Sequence, residues 1–437
     1  CSLYPWLFYQ EKVMITNFSI DDHNYNLKYN LAHEFFWGFG VAFHTIYAVV
    51  PLFLKELGAP DYIVVSTAGL FSIAIAFPTL IIAALGRNII NIKRAVIVVH
   101  GMIVFISFLM GFTFTFINTT STAWEIYFIY FILYAFSIGV VVPIWAEFLN
   151  QSTLRSHRGK FFGLGFACNS FGGFIGGLAL RYILESNLPF PKNFGVGFII
   201  LFFCLMIGTI LFIPFRIKQK TNSQSFKSLK QFLTETKLIV FHHKNFQRYI
   251  LSRVFYSACL PGMGLYAIYC QNKFNFAISE AGTFTIITVI FSGLSSYIAG
   301  HLGDLYGHKT SMLLAYSGHL IAVVLAIYAS NMLWVYGIFI AIGIGQGAFM
   351  PSAMNLIYDF SNGENAKTYM ALIDSLLAPF ILIFIIFIGW LIENEIYTFA
   401  LNVLFGSLVI GISLLLFKVK DPKKHGKSLV HIDGFSS

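Results

Sequence analysis

Long apolar stretches separated by short polar segments dominate this chain. Twelve stretches of roughly 20 or more mostly apolar residues follow one another. Each can cross a bilayer alone, because a helix rises 1.5 Å per residue and the hydrocarbon core is about 30 Å thick. Barrel strands would be about 10 residues long with alternating polarity. The pattern therefore predicts an all-α integral membrane protein.

The predicted helices fall into two groups of six. They span 30–56, 62–86, 94–117, 123–149, 159–184, 195–215, 249–271, 279–300, 309–329, 332–357, 367–391 and 396–417. A long hydrophilic segment with eight basic residues and one acid separates the groups. We therefore divide the chain into a segment 1–29, a first six-helix bundle 30–215, a linker 216–248, a second six-helix bundle 249–417 and a tail 418–437.

Composition agrees with a membrane protein. Hydrophobic residues make up 57% of the chain and charged residues 11%, against about 45–50% and about 25% in soluble domains. Hydrocarbon accepts such a surface, whereas water does not. A soluble fold is excluded on this ground.

Basic residues mark one side of the predicted membrane domain. Of the 28 lysines and arginines, 23 lie in segments that share a side with both termini. Lysine and arginine in short loops stay cytoplasmic, so we expect both termini in the cytoplasm. The compact loops suggest a multi-pass protein of the bacterial inner (plasma) membrane. The net charge of +9 is then an orientation signal, and no nucleic-acid partner is expected.

Motifs for catalysis or for a cofactor are missing from the sequence. The five cysteines have no metal-ligand spacing, and no phosphate-binding Gly-x-x-x-x-Gly-Lys-Ser/Thr run occurs. We expect no enzymatic activity, no cofactor and no metal. A membrane-embedded enzyme stays an alternative, because folding could unite His44, His100, Asp374 and Cys168.

The two groups of helices resemble each other. Gly139 in the fourth span and Gly347 in the tenth each begin a Gly-x-x-x-Pro frame, 208 residues apart. The same offset superposes Phe161 on Tyr369. With the equal division into six spans, this predicts a diverged repeat about an axis along the membrane normal.

A family resemblance rests on residues 300–309, Gly-His-Leu-Gly-Asp-Leu-Tyr-Gly-His-Lys. This segment resembles the Gly-x-x-x-Asp-x-x-Gly-Arg/Lys-Lys/Arg loop signature of the major facilitator superfamily. The resemblance covers about 30–417 and implies that superfamily's fold of two six-helix bundles. It also implies a gating role for Gly300, Gly303, Asp304, Gly307 and Lys309.

The first-half copy of the signature departs from the family pattern. Between the second and third spans, Gly86 and the basic end are kept, while Arg87 stands at the acid position. We hypothesise that Arg87 or Arg94 pairs with Glu147 and replaces the missing gate contact.

Glycines cluster in the fifth span, in Gly163-x-Gly165 and in a second group at 172–177. Small residues let membrane helices approach closely, so one interpretation is a packing seam against the eighth span. The other is the glycine-rich motif of proton-coupled drug antiporters, but the Gly-Pro pair of that motif is lacking.

Ionisable residues inside the spans are costly and often functional. Asp374 lies about eight residues, or about 12 Å, into the eleventh span. It is a candidate proton or cation site, with a structural carboxylate as the alternative. His44, near the middle of the first span, is either a solute or proton contact or an interhelical hydrogen-bonding group. Glu34, His33 and Arg253 are expected to gate or anchor.

Aromatic and amide side chains should line a central cavity. The candidates for contact with the solute are Trp145, Tyr256, Gln346 and Asn355, with Tyr130, Tyr134 and Tyr266 nearby. Rings with few fixed charges suit an amphipathic or weakly charged organic solute. A polyanion would require paired basic residues in mid-membrane, which the sequence lacks.

These observations together favour a secondary active transporter. We expect a monomer in the lipid bilayer that moves a small organic solute by alternating access. Any energy coupling should use H+ at Asp374, and segments 301–309 and 86–94 should latch the inward side. A transport-inactive relative that acts as a partner or sensor is the alternative.

Overall fold

The computed structural model describes residues 14–15, 18–85, 89, 91–116, 121–154, 157–218, 234, 237, 239–241, 243–361 and 366–422. In chain order its α-helices are α1 Ile20–Val41, α2 Val49–Glu56, α3 Asp61–Leu85, α4 Ile92–Phe116, α5 Ala123–Gln151, α6 Arg158–Leu184, α7 Lys192–Ile210, α8 Lys244–Tyr256, α9 Cys259–Phe274, α10 Glu280–Tyr306, α11 His308–Tyr328, α12 Met332–Phe360, α13 Ala366–Glu393 and α14 Tyr397–Phe417. Two short strands, β1 Met14–Ile15 and β2 Ile217–Lys218, pair in parallel.

The protein is an integral, multi-pass membrane protein. Within the described ranges, eleven spans are long and apolar enough to cross a bilayer, and the first of them runs over α1 and α2. The predicted seventh span is divided between α8, with 13 residues, and α9, with 16 residues. The all-α membrane fold is confirmed, and the helices follow the predicted spans closely in most cases.

The first helix begins ten residues earlier than predicted. Ser19 and Asp22 form a capping box, in which the Asp22 backbone N–H donates to Ser19 Oγ at 3.2 Å and the Ser19 N–H donates to Asp22 Oδ2 at 3.0 Å. This pair satisfies two of the amide groups that a helix start leaves without partners. The polar run before residue 30 is therefore helical.

Asparagine side chains tie the first helix of each half to the end of its last helix. Asn26 Nδ2 donates to the backbone oxygen of Arg216 at 2.7 Å, and Asn26 Oδ1 accepts from the Arg216 N–H at 2.8 Å. Asn245 makes the same two bonds with Lys420, each at 2.8 Å. The sequence analysis missed this repeated feature.

Both halves interrupt their first membrane-spanning helix. In the first half, α1 ends in a 3-10 turn at Ala42–His44, and Thr45 is extended, with φ −75° and ψ 131°. Its Oγ1 accepts from the Val49 N–H at 3.1 Å and so caps the start of α2. In the second half, α8 ends at Tyr256 and α9 begins at Cys259. Hydropathy predicted both spans as continuous because apolar residues flank each break.

The glycine cluster of α6 serves two seams rather than the single one predicted. A Cβ at Gly172 would lie 2.2 Å from the backbone oxygen of Phe35 in α1. A Cβ at Gly177 would lie 2.7 Å from the side chain of Ile286 in α10. One set of glycines therefore lets α1 of the same half pack closely on one face of α6. The other set lets α10 of the second half pack closely on the opposite face.

The glycines of the Gly-x-x-x-Pro frames pack in equivalent ways. A Cβ at Gly139 of α5 would lie 2.4 Å from the backbone oxygen of Ile75 in α3. A Cβ at Gly347 of α12 would lie 2.0 Å from the backbone oxygen of Ser292 in α10. Each glycine admits the second spanning helix of its own half, as a repeat requires.

Candidate functional site

A cavity of about 350 Å³ lies between the two halves, beside the break in the first span. The first half contributes residues of α1, the interrupted segment, α3, α5 and α6, and the second half contributes α10 and α12. Its aromatic lining consists of Trp37, Tyr47, Phe71 and Tyr134. Its polar lining consists of His44, Thr45, Asn169, Ser170, Thr288, Ser292 and Gln346.

The lining carries no aspartate, glutamate, lysine or arginine among the described residues. Hydroxyl, amide and imidazole groups can each donate and accept hydrogen bonds without a net charge. Aromatic faces add apolar area and stacking surfaces. The cavity is therefore suited chemically to an uncharged, planar or polyhydroxylated molecule.

His44 lies in the interruption of the first span, next to this cavity. The side chain is only 2% exposed, and among the described residues neither ring nitrogen has a hydrogen-bond partner. The ring of Tyr134 lies 4.6 Å away between centroids, and those of Tyr127, Phe131 and Phe198 lie about 6 Å away. The interhelical hydrogen bond considered for His44 is thus not formed between described groups.

Contacts between the halves close the side opposite the termini. Four side-chain hydrogen bonds between described residues join the halves: Thr45 to Thr285 at 3.3 Å, Arg181 to Thr283 at 3.1 Å, Gln271 to Glu56 at 3.2 Å and Tyr397 to Asp61 at 3.2 Å. The first lies at the cavity and the others lie beyond it, near the ends of α2, α3, α6, α9, α10 and α14.

Asp374 occupies a separate place from the cavity. It lies in α13, is exposed, and is not part of the cavity lining. It interacts electrostatically with Arg253 of α8, although no ion pair within 4.0 Å joins these two described residues. Arg253 is 8% exposed, stacks over Phe349 at 4.5 Å and donates to the Tyr249 hydroxyl at 3.4 Å.

The other predicted solute contacts are divided between the cavity and the packed core. Gln346 lines the cavity, and its Nε2 lies 3.2 Å from Met263 Sδ. Tyr256 is buried and stacks on Tyr316 at 3.9 Å between ring centroids. Trp145 and Asn355 are half-buried and do not line the cavity. The structure thus unites His44 and Gln346 and sets Trp145, Tyr256, Asn355 and Asp374 apart from them.

The signature segment is more helical than a loop. Gly300, Gly303 and Asp304 lie in the last turns of α10, and Gly307, with φ +96°, separates α10 from α11. A residue with a side chain is strained at this φ. Lys309 Nζ donates to the backbone oxygens of Leu416 and Val419 at 2.8 and 2.7 Å. The lysine therefore caps the end of α14, where unpaired carbonyl groups favour a cation.

A second lysine binds backbone oxygen in the same way after the last helix of the first half. Lys93 Nζ donates to the backbone oxygen of Phe215 at 3.0 Å, just beyond α7. Matching Lys93 to Lys309 places Asn88, rather than Arg87, opposite Asp304. The acid position of the first copy is then an amide. Arg87 and Asn88 lie outside the described residues.

The proposed pair of Arg94 and Glu147 is not formed. Arg94 is exposed, and no ion pair within 4.0 Å links these two residues, both of which are described. Glu147 Oε1 instead accepts from Gln151 Nε2 at 2.9 Å, one turn further along α5. The alternative partner, Arg87, lies outside the described residues, so that half of the hypothesis stays a prediction.

Several polar groups of the site escaped the sequence analysis. Thr45, Asn169 and Thr285 sit in apolar surroundings with no motif to mark them. Threonine and asparagine are common in membrane helices, where they also bond to their own backbone. These groups come together at the break in the first span, and the hydropathy pattern did not predict that break.

The chain resembles known proteins in fold and, over its second half, in sequence. The sequence pattern of the Major Facilitator Superfamily matches residues 263–431. No curated protein matches the chain. The nucleoside transporter NupG is 15% identical, with 90% of this chain and 100% of that one aligned at a TM-score of 0.65.

Two sugar transporters of known structure are similar to the same degree. A D-xylose-proton symporter is 14% identical, with 92% of this chain and 99% of that one aligned at a TM-score of 0.65. A variant of the E. coli fucose:proton symporter FucP is 12% identical, with 91% and 100% aligned at a TM-score of 0.60. At these identities the likeness establishes the fold, and the predicted fold of two six-helix bundles is confirmed.

Proposed function

We propose that this chain is a secondary active transporter of the major facilitator superfamily, which its fold and the match of its second half support. It moves a small organic solute across the membrane by alternating access between its two halves. The observation that carries the proposal is the cavity of about 350 Å³, which both halves line.

The solute is uncharged or weakly charged and carries hydroxyl or amide groups. The cavity offers His44, Asn169 and Gln346 for hydrogen bonds and four aromatic rings for stacking, without a fixed charge among the described lining residues. A zwitterion such as a peptide would require buried countercharges. The similar structures include proteins named for a nucleoside, D-xylose and fucose and also POT family transporters, so the choice of solute class rests on the cavity lining.

The described contacts correspond to the carrier closed at the end opposite the termini. With both termini in the cytoplasm, as the basic residues indicate, the closed end faces the outside of the cell. Rocking the halves apart at that end requires the four hydrogen bonds between them to break. Solute then enters through this opened end, and the interrupted first span lies at the centre of the movement.

Protons are the proposed driving ion, with Asp374 as a candidate coupling group. Its exposure within a long apolar helix and its electrostatic interaction with Arg253 support this role. Protonation would remove the attraction between the two groups, and a change in their separation would follow. A monomer is sufficient for this mechanism, because one chain contains both halves of the cavity.

Solute and proton flux in proteoliposomes test the proposal. A panel of a nucleoside, D-xylose, L-fucose and a dipeptide is offered to wild type, Gln346→Ala and Asp374→Asn under an imposed proton gradient. We expect uptake of an uncharged member of the panel, reduced by at least tenfold in Gln346→Ala. Uptake of the dipeptide alone, or of no solute, contradicts the proposal, and the latter favours a partner or sensor protein.

A further inference from the structure

The helices α6 and α10 form a close antiparallel seam between the two halves. The contacts recur every three or four residues along each helix, in the pairs Arg181–Gly282, Gly177–Ile286, Gly173–Val289 and Ser170–Gly293. A Cβ on the glycine of these pairs would lie 2.6, 2.7, 3.1 and 3.1 Å from the partner residue. Small residues at such positions let two membrane helices approach closely. The seam loosens slightly from its first pair to its last, in the direction of the termini.

The seam stops after its fourth pair, although the sequence offers two more. The same register pairs Phe166 with Tyr297 and Gly163 with Gly300. Phe166 is 46% exposed and Tyr297 is 80% exposed. A Cβ at either glycine would meet no described atom of another helix within 4 Å. The two helices therefore diverge here, and we call the space between these four residues the gap.

The gap adjoins the end of the cavity that is nearer the termini. Ser170 and Gly173 of α6 and Val289 of α10 line the cavity, so the last closed pairs of the seam form part of its wall. Gly163 lies seven residues, or about 10 Å, beyond Ser170 along α6, within the roughly 15 Å of one hydrocarbon leaflet. Phe171, on the outer face of α6, is 58% exposed, as a side chain in contact with lipid is. A molecule in the cavity therefore reaches the hydrocarbon through the gap without crossing bulk water.

The surfaces that lead from the cavity toward the termini are apolar. On α12, Gln346 lines the cavity, and Met350 and Met354 follow it at steps of four residues, with 58% and 41% exposure. On α5, Ile138 lines the cavity, and Val142 follows it in the same way with 40% exposure. Methionine side chains adapt to apolar partners of different shapes. These surfaces suit an alkyl chain better than a free sugar, whose hydroxyl groups require hydrogen bonds.

The cavity itself requires a polar ligand. His44 lines it and is 2% exposed, and neither of its ring nitrogens has a hydrogen-bond partner among the described groups. Buried polar groups are normally hydrogen-bonded, so a hydroxyl or amide group of a ligand would satisfy this imidazole. A polar recess that continues into an apolar gap matches a molecule with a polar head and an apolar chain.

We propose that the solute is an amphiphile with an uncharged head and one alkyl chain. The head binds in the cavity at His44 and Gln346, and the chain extends through the gap into the membrane leaflet on the side of the termini. The molecule passes between that leaflet and the cavity sideways, between α6 and α10. Its movement across the membrane rests on the proposed transport function, whereas its binding in this position does not.

Photolabelling of the purified, full-length protein in lipid nanodiscs tests the inference. Two probes carry the same dodecyl chain, with a diazirine at its middle, on a glucose or a uridine head. Mass spectrometry locates the labelled residues. We expect at least one probe to label α6 and α10 at or next to Phe166 and Tyr297. An excess of the same amphiphile without the diazirine should reduce this label at least fivefold.

Three variants identify the origin of the label. Gln346→Ala removes a group that binds the head, so labelling in the gap should fall at least fivefold. Gly300→Leu fills the gap and should reduce labelling at Phe166 to a similar extent. Gly101→Leu is the matched control, because a Cβ at Gly101 of α4 also meets open space, and it should leave the label unchanged.

Two results overturn the inference. If neither probe labels the gap, no alkyl chain lies there. If the label withstands both the excess amphiphile and Gln346→Ala, the chain touches the gap only as bulk lipid does. Both results decide the matter even where Gly300→Leu fails to fold.

Failure of the proposed transport function gives a different result. Uptake of a free nucleoside or sugar from the panel, without a displaceable label in the gap, supports the transporter and refutes the amphiphile. A displaceable label, without flux of any panel solute or of either amphiphile, refutes transport and supports the binding site.

Discussion

Removal of the Asn26 side chain should destabilise the protein more than any comparable change at its surface. Asn26 is fully buried and makes three hydrogen bonds, to the backbone oxygens of Ser152 and Arg216 and from the Arg216 N–H. Each contributes about 1 kcal/mol net. The gain in helix propensity from asparagine to alanine is about 0.6 kcal/mol. Asn26→Ala should therefore lower the free energy of unfolding by about 2.5 kcal/mol.

The repeat supplies an internal comparison for this prediction. Asn245 makes two of the equivalent bonds, with Lys420, so Asn245→Ala should cost about 1.4 kcal/mol by the same reasoning. Asn24 is exposed on the same helix, and Asn24→Ala serves as the control for propensity alone. Unfolding in mixed micelles of mild detergent and SDS gives the three free energies. The reasoning is refuted if Asn245→Ala costs more than Asn26→Ala, or if Asn26→Ala and Asn24→Ala do not differ.

Three further predictions follow from other parts of the structure. Gly172→Ala should lower the thermal unfolding midpoint, because the added Cβ would lie 2.2 Å from a backbone oxygen. The control is Gly163→Ala, whose Cβ meets open space; it should leave the midpoint unchanged or raise it through helix propensity. Thr285→Val removes the partner of Thr45 at nearly constant volume. The loss of about 1 kcal/mol should raise the population that is open at the end opposite the termini about fivefold. Electron paramagnetic resonance distances between labels at residues 186 and 275 measure this population, and an unchanged distance distribution would contradict the prediction. His243 Nδ1 accepts from the Phe246 N–H at the start of α8 at 3.1 Å, and burial lowers the pKa of this imidazole. Its stabilising effect is therefore fully present above the ordinary histidine pKa of about 6.5 and is lost progressively as the pH falls from that value towards the lowered pKa of the folded protein. Thermal midpoints measured from about pH 7.5 to about pH 5.5 should fall less in His243→Asn than in wild type, and equal slopes would rule out this role.

Hydropathy was sufficient for the fold because each span is a long apolar run between polar ends. It failed where a helix is interrupted but the residues on both sides of the interruption are apolar. No aspartate, glutamate, lysine or arginine lies within three residues of His44 or Ser257, so hydropathy predicted neither break. It also failed at the start of α1, where a capping box and buried asparagines make a polar run helical.

The candidate site was predicted less completely than the fold. His44 and Gln346 were identified because an imidazole and an amide are unusual in apolar helices, and both line the cavity. Tyr256 was expected at the cavity but stacks on Tyr316 in the packed core, because tyrosine suits both places; its contact with a solute stays a prediction. Glu34 was expected to gate or anchor because the predicted span began at residue 30, which placed it at the membrane surface.

The position of the helix start explains why the carboxyl group of Glu34 lies inside the protein and outside the cavity lining. Once α1 begins at Ile20, Glu34 moves from the membrane surface to the interior, one hydrogen bond behind the cavity wall. An uncharged lining can then bind an uncharged solute without the desolvation cost that an exposed carboxylate in the cavity would add. Asn169 connects the two places, because its side chain bonds to Glu34 and also lines the cavity. Since the Asn169 amide also lines the cavity, its replacement by alanine should lower the affinity for such a solute, measured by binding to the purified protein.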